Sequence, residues 1–297
     1  MSSAPVLTVD QVQAILPDAT NIEYLDKGGQ KIVFTAAFAG ARYAVKFMAR
    51  NASLLGITDP DTMDDVTARA VREVETMRQC QTPHLVKIGP IGLKAVSVDN
   101  QDLIFFTEEF IEGKNLKAFL QETGPLSVNQ IQSLAYHISE AIAELWSHSK
   151  VHRDIKPGNI MRHGDRDDFV LLDMGLVLDL EGASLSQGPV GTPIYSCPEQ
   201  RDFRNRRSVM NFRSDLFLLG IVLYEMATGK HPFVTTMTQS TFDVMVLIEG
   251  NYLPPAPTTL RSDLPAKLDE IIMRLLAKRP SLRYRTMAKF HEALAQV

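Results

Sequence analysis

The periodicity of the apolar residues changes near Asn115, and this change limits the folds open to the chain more than any other feature. Before Asn115, short runs rich in β-branched and aromatic residues alternate with breaks that contain glycine, which is typical of strands and hairpins. After it, apolar residues recur at helical spacing in longer segments that end at Gly229, at Gly250 and at the prolines of residues 254–257. The pattern predicts an α+β fold, in which a small antiparallel sheet with one main helix precedes a larger helical part.

The same pattern predicts where the elements lie. In the first part, a helix is expected at Asp64–Gln79 and strands are expected at Ile22–Leu25, Lys31–Phe38, Arg42–Met48, Leu85–Ile91, Leu93–Val98 and Leu103–Phe106. In the second part, helices are expected at Leu116–Gln121, Ser127–Ser147, Ser214–Thr228, Thr241–Glu249, Leu264–Ala277 and Thr286–Gln296. Ser127 and Gln130 have the spacing of a capping box.

The composition and charge exclude several classes of protein. The 297 residues carry a net charge of −4, so no basic field is present that would attract nucleic acid. Two cysteines are too few for a disulfide framework. Residues 1–10 lack the basic and apolar regions of a signal peptide, and no apolar run approaches the roughly 18 residues that span a bilayer. We therefore expect a soluble cytoplasmic protein without a membrane partner.

The strongest chemical signal is the segment from Val151 to Ile160, which reads VHRDIKPGNI. In this segment Asp154 is followed, five residues later, by Asn159. The spacing suits a loop that transfers phosphoryl groups, because a carboxylate can accept a hydroxyl proton while an amide oxygen coordinates a metal ion on the nucleotide.

A second motif, Leu171–Gly175, places Asp173 at the end of an apolar run, 19 residues after Asp154. A carboxylate in this position can bind Mg²⁺ at the phosphates of a nucleotide, and Gly175 permits the turn that follows. An Asp-x-Gly sequence on its own is usually a surface turn. The two motifs in this order and at this spacing nevertheless predict a phosphoryl-transfer site.

With these motifs, residues 21–297 resemble the eukaryotic-like (Hanks-type) serine/threonine protein kinase family, in the style of a bacterial catalytic domain. The resemblance implies a bilobal fold with ATP in the cleft between the lobes. We expect an N-terminal extension at residues 1–20, an N-lobe and hinge at residues 21–111, and a C-lobe at residues 112–297. The implied cofactors are ATP and Mg²⁺, with Mn²⁺ as an alternative metal. The implied partners are protein substrates with Ser or Thr hydroxyls, together with a separate regulator or sensor.

The resemblance also assigns residues to the reaction. Glu73 is expected to pair with Lys46, and it is preferred to Glu75 because its spacing to the next strand matches the family. The catalytic residues that the resemblance implies are Asp154, Lys156, Lys46, Glu73 and Thr192. The metal ligands that it implies are Asn159 and Asp173.

The nucleotide-binding residues implied in the same way include several that depart from the family pattern. Asp26 and Lys31 stand where the family has glycines, so that Gly28 and its neighbour Gly29 carry the loop. Glu108 falls at the gatekeeper position, which is usually apolar; either it has a polar partner or the register is displaced by one residue. The implied nucleotide-binding residues are Gly28, Gly29, Val33, Ala44, Lys46, Glu109, Ile111 and Met161.

Other residues are implied to have structural or regulatory roles. Glu199 is expected to form a buried ion pair with Arg283, and Asp215 to hold the backbone of the catalytic loop. Autophosphorylation is expected at Ser184 or Ser186, and a loop ordered without phosphate is the alternative. An arginine-rich stretch is interpreted either as a solvated loop or as a docking patch for an acidic partner, and it consists of Arg201, Arg204, Arg206, Arg207 and Arg213.

Two other functions compete with a protein kinase. A kinase of small molecules shares the Asp–Asn–Asp core, but it lacks the peptide-docking segment that Gly191–Glu199 resembles. A pseudokinase or partner-activated scaffold would bind nucleotide without efficient turnover. The altered glycine loop and Glu108 are the features that favour a scaffold.

Overall fold

A computed structural model describes the chain over residues 4–50, 65–164, 166–180, 191–201 and 209–297. Within these residues the chain forms two compact units. The first unit comprises the described residues up to Gln79 together with Val86–Ile111. The second unit comprises Cys80–Leu85 together with the described residues of Glu112–Val297. Both predicted parts of the α+β fold are present, a sheet-rich one followed by a helical one.

The first unit contains two helices and five strands among its described residues. The helices are α1 (Val9–Ile15) and α2 (Asp65–Gln79), and the strands are β1 (Thr20–Gly28), β2 (Lys31–Phe38), β3 (Ala41–Ala49), β4 (Lys94–Val98) and β5 (Gln101–Glu109). The strands form one antiparallel sheet in the order β1–β2–β3–β5–β4. This confirms the predicted small antiparallel sheet with one main helix.

Two-residue turns set the register of this sheet. Ala39 and Gly40, between β2 and β3, have φ angles of 50° and 82°. Asp99 and Asn100, between β4 and β5, have φ angles of 48° and 63°. Left-handed φ at both central residues is the geometry of a type I′ turn, whose twist matches that of the strands it joins. The resulting register carries the side chain of Lys46 into the interior, where the residue is 5% exposed.

Helix α1 packs against the apolar core of the sheet, although sequence analysis assigned no element to residues 1–20. Thr8 caps the helix in a capping box with Gln11. Val12 of α1 is fully buried and lies in one core cluster with Phe34 and Phe47. The helix has only seven residues, which is too short for its apolar period to stand out from the chain around it.

The segment predicted as a strand at Leu85–Ile91 forms only isolated bridges, so this prediction is wrong. Gly89 donates its N–H to the Thr107 carbonyl oxygen (2.8 Å), and Ile91 accepts a bond from the Thr107 N–H (2.9 Å). Between these two contacts Pro90 has no N–H to donate, so the ladder is interrupted.

The second unit is mainly helical over its described residues. Its helices are α3 (Leu116–Thr123), α4 (Val128–Ser147), α5 (Pro198–Arg201), α6 (Phe212–Thr228), α7 (Thr241–Glu249), α8 (Pro257–Leu260), α9 (Ala266–Leu275) and α10 (Met287–Leu294). Its strands are β6 (Gly113–Asn115), β7 (Lys150–Val151), β8 (Ile160–His163), β9 (Phe169–Leu171) and β10 (Leu178–Asp179). Strands β6, β8 and β9 form one small sheet, and β7 pairs with β10. All the helices predicted for this part are present, with ends that differ by at most two residues.

Helices α4 and α6 form the centre of the second unit. The predicted capping box is present at the start of α4, where Ser127 accepts from the Gln130 N–H (3.3 Å) and Gln130 accepts from the Ser127 N–H (3.0 Å). On α6, a Cβ at Gly220 would lie 2.7 Å from the Leu275 Cβ, so only glycine permits this approach of α9. Within the described part of the chain, no helix is long and apolar enough to cross a membrane.

Candidate active site

The loop that follows β7 is held by a carboxylate on the buried helix α6. Asp215, 1% exposed, accepts hydrogen bonds from the N–H groups of His152 (2.7 Å) and Arg153 (2.9 Å). Burial raises the pKa of the Asp215 carboxyl, while the charge of His152 and the two backbone bonds act in the opposite direction. Arg153 has a φ of 71°, a left-handed conformation that costs free energy in a non-glycine residue. The bonds to Asp215 therefore stabilise a loop geometry that the backbone alone disfavours.

Both carboxylate oxygens of Asp154 have hydrogen-bond donors. Oδ2 accepts from Lys156 Nζ (2.7 Å) and from Asn159 Nδ2 (2.9 Å). Oδ1 accepts from the Thr192 N–H (3.2 Å) and from the Thr192 hydroxyl (3.4 Å). Because charge-assisted bonds fix a carboxylate in orientation, Asp154 is held with lone pairs in defined directions. Such a carboxylate can accept a proton from a hydroxyl group placed beside it.

Thr192 connects this loop to the segment after residue 190. Lys156 Nζ donates to Thr192 Oγ1 over 2.7 Å, so that Lys156 joins Thr192 and Asp154. Gly191 precedes the threonine with a φ of 93°, and a Cβ there would lie 3.2 Å from the Arg153 carbonyl oxygen. The left-handed φ and the close approach of the two backbones both favour glycine at this position.

The two residues assigned as metal ligands lie in neighbouring segments of the second unit. Leu172, which precedes Asp173, donates its N–H to the Asn159 carbonyl oxygen (2.8 Å). The Asn159 Nδ2 donates to Asp154, which leaves the amide Oδ1 as the acceptor of that side chain. Asp173 has a φ of 61°, and its Oδ1 accepts from the Gly175 N–H (3.4 Å). One amide oxygen and one carboxylate are the hard oxygen donors that Mg²⁺ prefers, so these residues fit that ion.

In the first unit, Lys46 of β3 forms an ion pair with Glu73 of α2. Its Nζ lies 2.7 Å from Glu73 Oε1, and the two side chains are 6% and 5% exposed. The alternative partner, Glu75, is exposed on the other face of α2. The buried ion pair fixes the position of the Lys46 ammonium group.

Glu108 of β5 lies on the same lysine. Its Oε2 is 2.7 Å from Lys46 Nζ, and its side chain is 5% exposed. Burial raises the pKa of the Glu108 carboxyl, and the charge of Lys46 opposes this shift. Of the two alternatives left by the sequence, a polar partner or a displaced register, the structure shows the polar partner.

The other residues assigned to the nucleotide lie partly in each unit. Gly28 is the last residue of β1, and Gly29 follows it in the turn of the β1–β2 hairpin with a φ of 56°. A Cβ at either glycine would meet open space. Val33 lies on β2 and Ala44 on β3. Glu109, also in the first unit, donates its N–H to the Lys87 carbonyl oxygen. Ile111 is buried in the same unit. Met161 lies on β8 of the second unit.

The expected ion pair between Glu199 and Arg283 is present and buried. Arg283 NH1 and NH2 donate to the two Glu199 oxygens over 2.6 and 3.0 Å. The Arg283 side chain is 0% exposed and the Glu199 side chain is 6% exposed. Ser214 adds a third bond to Glu199 at 3.1 Å. This pair joins α5, at the end of the Gly191–Glu199 segment, to residues near the C-terminus.

Sequence reasoning missed the contacts of two residues that support the site, Gln200 and Tyr195. Gln200 Nε2 donates to the Arg153 carbonyl oxygen (2.7 Å), and Gln200 Oε1 accepts from the Cys197 N–H (2.8 Å). The Tyr195 hydroxyl donates to Glu225 Oε2 (2.6 Å), and burial raises the pKa of that phenol. A glutamine beside a motif has no periodic signal, so nothing in the sequence singled out Gln200.

Several predicted residues lie outside the described part of the chain, namely Ser184, Ser186, Arg204, Arg206 and Arg207. Two arginines of the same stretch are described. Arg201 bonds Glu249, and Arg213 donates to the carbonyl oxygens of Tyr284 (3.0 Å) and Arg285 (2.9 Å). These two side chains therefore support the structure of the second unit.

Comparison with known proteins gives one family. Residues 24–295 match the model of the protein kinase domain. Similar curated proteins include the probable serine/threonine-protein kinase PknB of Bifidobacterium longum, which is 32% identical over 76% of this chain and 33% of its own length. The serine/threonine-protein kinase PknE of Mycobacterium bovis is 32% identical over 85% of this chain and 41% of its own length. PknE of Mycobacterium tuberculosis is 32% identical over 76% of this chain. The chain thus spans between a third and about two fifths of these relatives.

Proposed function

Because this chain belongs to the protein kinase domain family, we propose that it transfers the γ-phosphoryl group of ATP to Ser or Thr hydroxyls of proteins. The observation that carries the proposal is the Asp154 carboxylate, which Lys156, Asn159 and Thr192 hold from both oxygens. The relatives named as serine/threonine kinases support the choice of acceptor.

In the proposed reaction the acceptor oxygen attacks the γ-phosphorus while the bond to the β–γ bridging oxygen breaks and ADP leaves. The hydroxyl proton passes to Asp154. Lys156 donates to the transferring phosphoryl group, and Thr192 keeps Lys156 and Asp154 in register. Asn159 and Asp173 hold Mg²⁺, which offsets the charge of the phosphates when it is bound; Mn²⁺ has the same ligand preference.

In the first unit, Lys46 anchors the α- and β-phosphates and Glu73 positions Lys46. The backbone N–H groups at Gly28 and Gly29 bind phosphate, and open space at the Cβ position of both glycines lets a phosphate approach the backbone there. The backbone groups of Glu109 and Ile111 bind the adenine. Its apolar neighbours are Val33, Ala44 and Met161.

The partners follow from this assignment. The substrates are proteins with exposed Ser or Thr hydroxyls, and a separate regulator or sensor controls the enzyme in the cytoplasm. Autophosphorylation at Ser184 or Ser186 stays a prediction. So does the use of Arg204, Arg206 and Arg207 as a docking patch.

The test is to incubate the protein with γ-labelled ATP and Mg²⁺ and to identify the labelled amino acid after hydrolysis. We expect phosphoserine or phosphothreonine on the protein itself or on a generic basic protein. Nucleotide binding without label on any protein would instead favour a scaffold. Label on a small alcohol alone would favour a small-molecule kinase.

A further inference from the structure

Glu108 is a carboxylate in the interior of the first unit. It is 4% exposed, it lies opposite Ala44 in the β3–β5 ladder, and its backbone bridges to Ile88. A carboxylate in such surroundings is costly unless a cation or hydrogen-bond donors compensate it. Lys46, at 2.7 Å, is the cation that compensates it here.

Lys46 therefore has two carboxylates on one ammonium group. Glu73 Oε1 and Glu108 Oε2 each lie 2.7 Å from Nζ, and the three side chains are 5–6% exposed. When both glutamates are ionised, one positive charge faces two negative charges. Water screens such a buried cluster much less than it screens a surface pair, so the excess negative charge acts on any anion that approaches Nζ.

The phosphates of a nucleotide are such anions. The Lys46 ammonium group donates a hydrogen bond to Glu73 Oε1 and forms an ion pair with Glu108 Oε2, so two protein carboxylates already lie beside the group that would meet the phosphates. We propose that Glu108 competes with the phosphates of ATP for Lys46 and so weakens nucleotide binding. The inference rests on the proposed function, in which Lys46 anchors the phosphates.

The substitution Glu108→Gln isolates the charge. Glutamine has nearly the same shape as glutamate, and its amide oxygen can take the place of the carboxylate oxygen beside Lys46, so packing is retained while the negative charge is removed. Glu75→Gln is the matched control, because it removes the same charge from an exposed position on α2. The melting temperature of each variant shows whether it is folded.

The experiment measures the dissociation constants of two ligands by calorimetry at constant ionic strength. One ligand is the non-hydrolysable ATP analogue AMP-PNP with Mg²⁺, and the other is adenosine, which has no phosphate. Glu108→Gln should bind AMP-PNP about tenfold more tightly than the wild type, since a tenfold change corresponds to only about 1.4 kcal/mol of relieved repulsion. Adenosine affinity should not change, and Glu75→Gln should behave as the wild type.

Equal AMP-PNP affinity in wild type and Glu108→Gln would overturn the inference while leaving the proposed function intact. An equal gain for adenosine and AMP-PNP would also overturn it, because Glu108 would then act on the shape of the adenine site. A variant that binds AMP-PNP when the wild type does not would support the inference in its strongest form. If neither protein binds either ligand, the proposed function fails, and the inference fails with it.

Discussion

The carboxylate of Glu199 and the guanidinium of Arg283 form a two-bond ion pair that is closed to solvent, with donor–acceptor distances of 2.6 and 3.0 Å. Arg283 also donates to the carbonyl oxygens of Ala277 (2.8 Å) and Arg213 (2.7 Å). The pair therefore links the end of the Gly191–Glu199 segment to the start of α6 and to the residues after α9.

Breaking this pair from one side should destabilise the second unit. Arg283→Met would leave the Glu199 carboxylate buried without its main donor, and the expected loss in the free energy of unfolding is about 3–5 kcal/mol. Urea denaturation measures the loss. Arg285→Met, at an exposed position, is the control. The double substitution Glu199→Gln with Arg283→Met should lose less than Arg283→Met alone, and an equal or greater loss would show that the ion pair is not the origin of the effect.

The hydroxyl of Thr192 should contribute to turnover more than to substrate affinity. Thr192→Val removes the bonds of Oγ1 to Lys156 (2.7 Å) and Asp154 (3.4 Å) while keeping the volume. Because a hydrogen bond to a charged group contributes about 1.5–3 kcal/mol, kcat should fall by about ten- to a hundredfold. Thr192→Ser, which keeps a hydroxyl, should recover most of the rate. Steady-state kinetics decide this, and equal rates for the valine and serine variants would contradict the role.

Asp215 is a positioning residue, since it holds the loop through the N–H groups of His152 and Arg153. Asp215→Asn should lower kcat by about a hundredfold, because small displacements of a catalytic group have effects of that size. The affinity for AMP-PNP should change little, because Asp215 is not among the residues assigned to the nucleotide. A variant that loses nucleotide binding and turnover in equal measure would argue for general unfolding.

The stability of the second unit should fall in mild acid because of His231. Its Nε2 lies 3.0 Å from the Ile194 carbonyl oxygen, and its Nδ1 accepts from the Phe233 N–H (3.2 Å). Burial lowers the pKa of His231 from 6.5 to about 4, against a smaller opposite effect of the bond to Ile194. In the unfolded chain His231 is protonated below about pH 6.5, whereas in the folded chain it is protonated only below about pH 4. Stability from this residue is present above pH 6.5 and is lost as the pH falls.

The expected loss between pH 7 and pH 5 is about 2 kcal/mol in the free energy of unfolding. His231→Gln should abolish this part of the pH dependence, although the variant is less stable at pH 7. His148→Gln, at an exposed position, should keep the wild-type dependence. If wild type and His231→Gln lose stability in parallel, another group is responsible.

The residues proposed for the catalytic loop could be singled out in the sequence because the roles assigned to them require fixed spacing within one short segment. Asn159 follows Asp154 by five residues, and its Nδ2 donates a hydrogen bond to Asp154 Oδ2 over 2.9 Å. The strands and helices with a long apolar period were predicted for the same reason, since the period is local. The seven residues of α1 carry no such period, and this helix was missed. The segment Leu85–Ile91 was wrongly predicted as a strand, because the pattern does not show that Pro90 interrupts the ladder.

Contacts between distant segments were harder to predict. Glu108 and Lys46 lie on neighbouring strands, and only the ladder register decides whether their side chains meet. From the sequence, a polar partner and a displaced register were equally consistent with a charged residue at this position. The hydrogen bonds of Gln200 to Arg153 and Cys197 were hard to predict for the same reason, because they depend on how α5 packs against the loop that contains Arg153.

The role of Asp154 is tested by comparing wild type with Asp154→Asn for transfer of the γ-phosphoryl group of ATP to a protein. Asparagine keeps the shape of the side chain but cannot accept the hydroxyl proton. AMP-PNP binding serves as the control for an intact nucleotide site. We expect phosphoserine or phosphothreonine with the wild type and a loss of at least about a hundredfold in rate with Asp154→Asn, at unchanged AMP-PNP affinity. Equal rates for the two proteins would contradict the role of Asp154 as the proton acceptor.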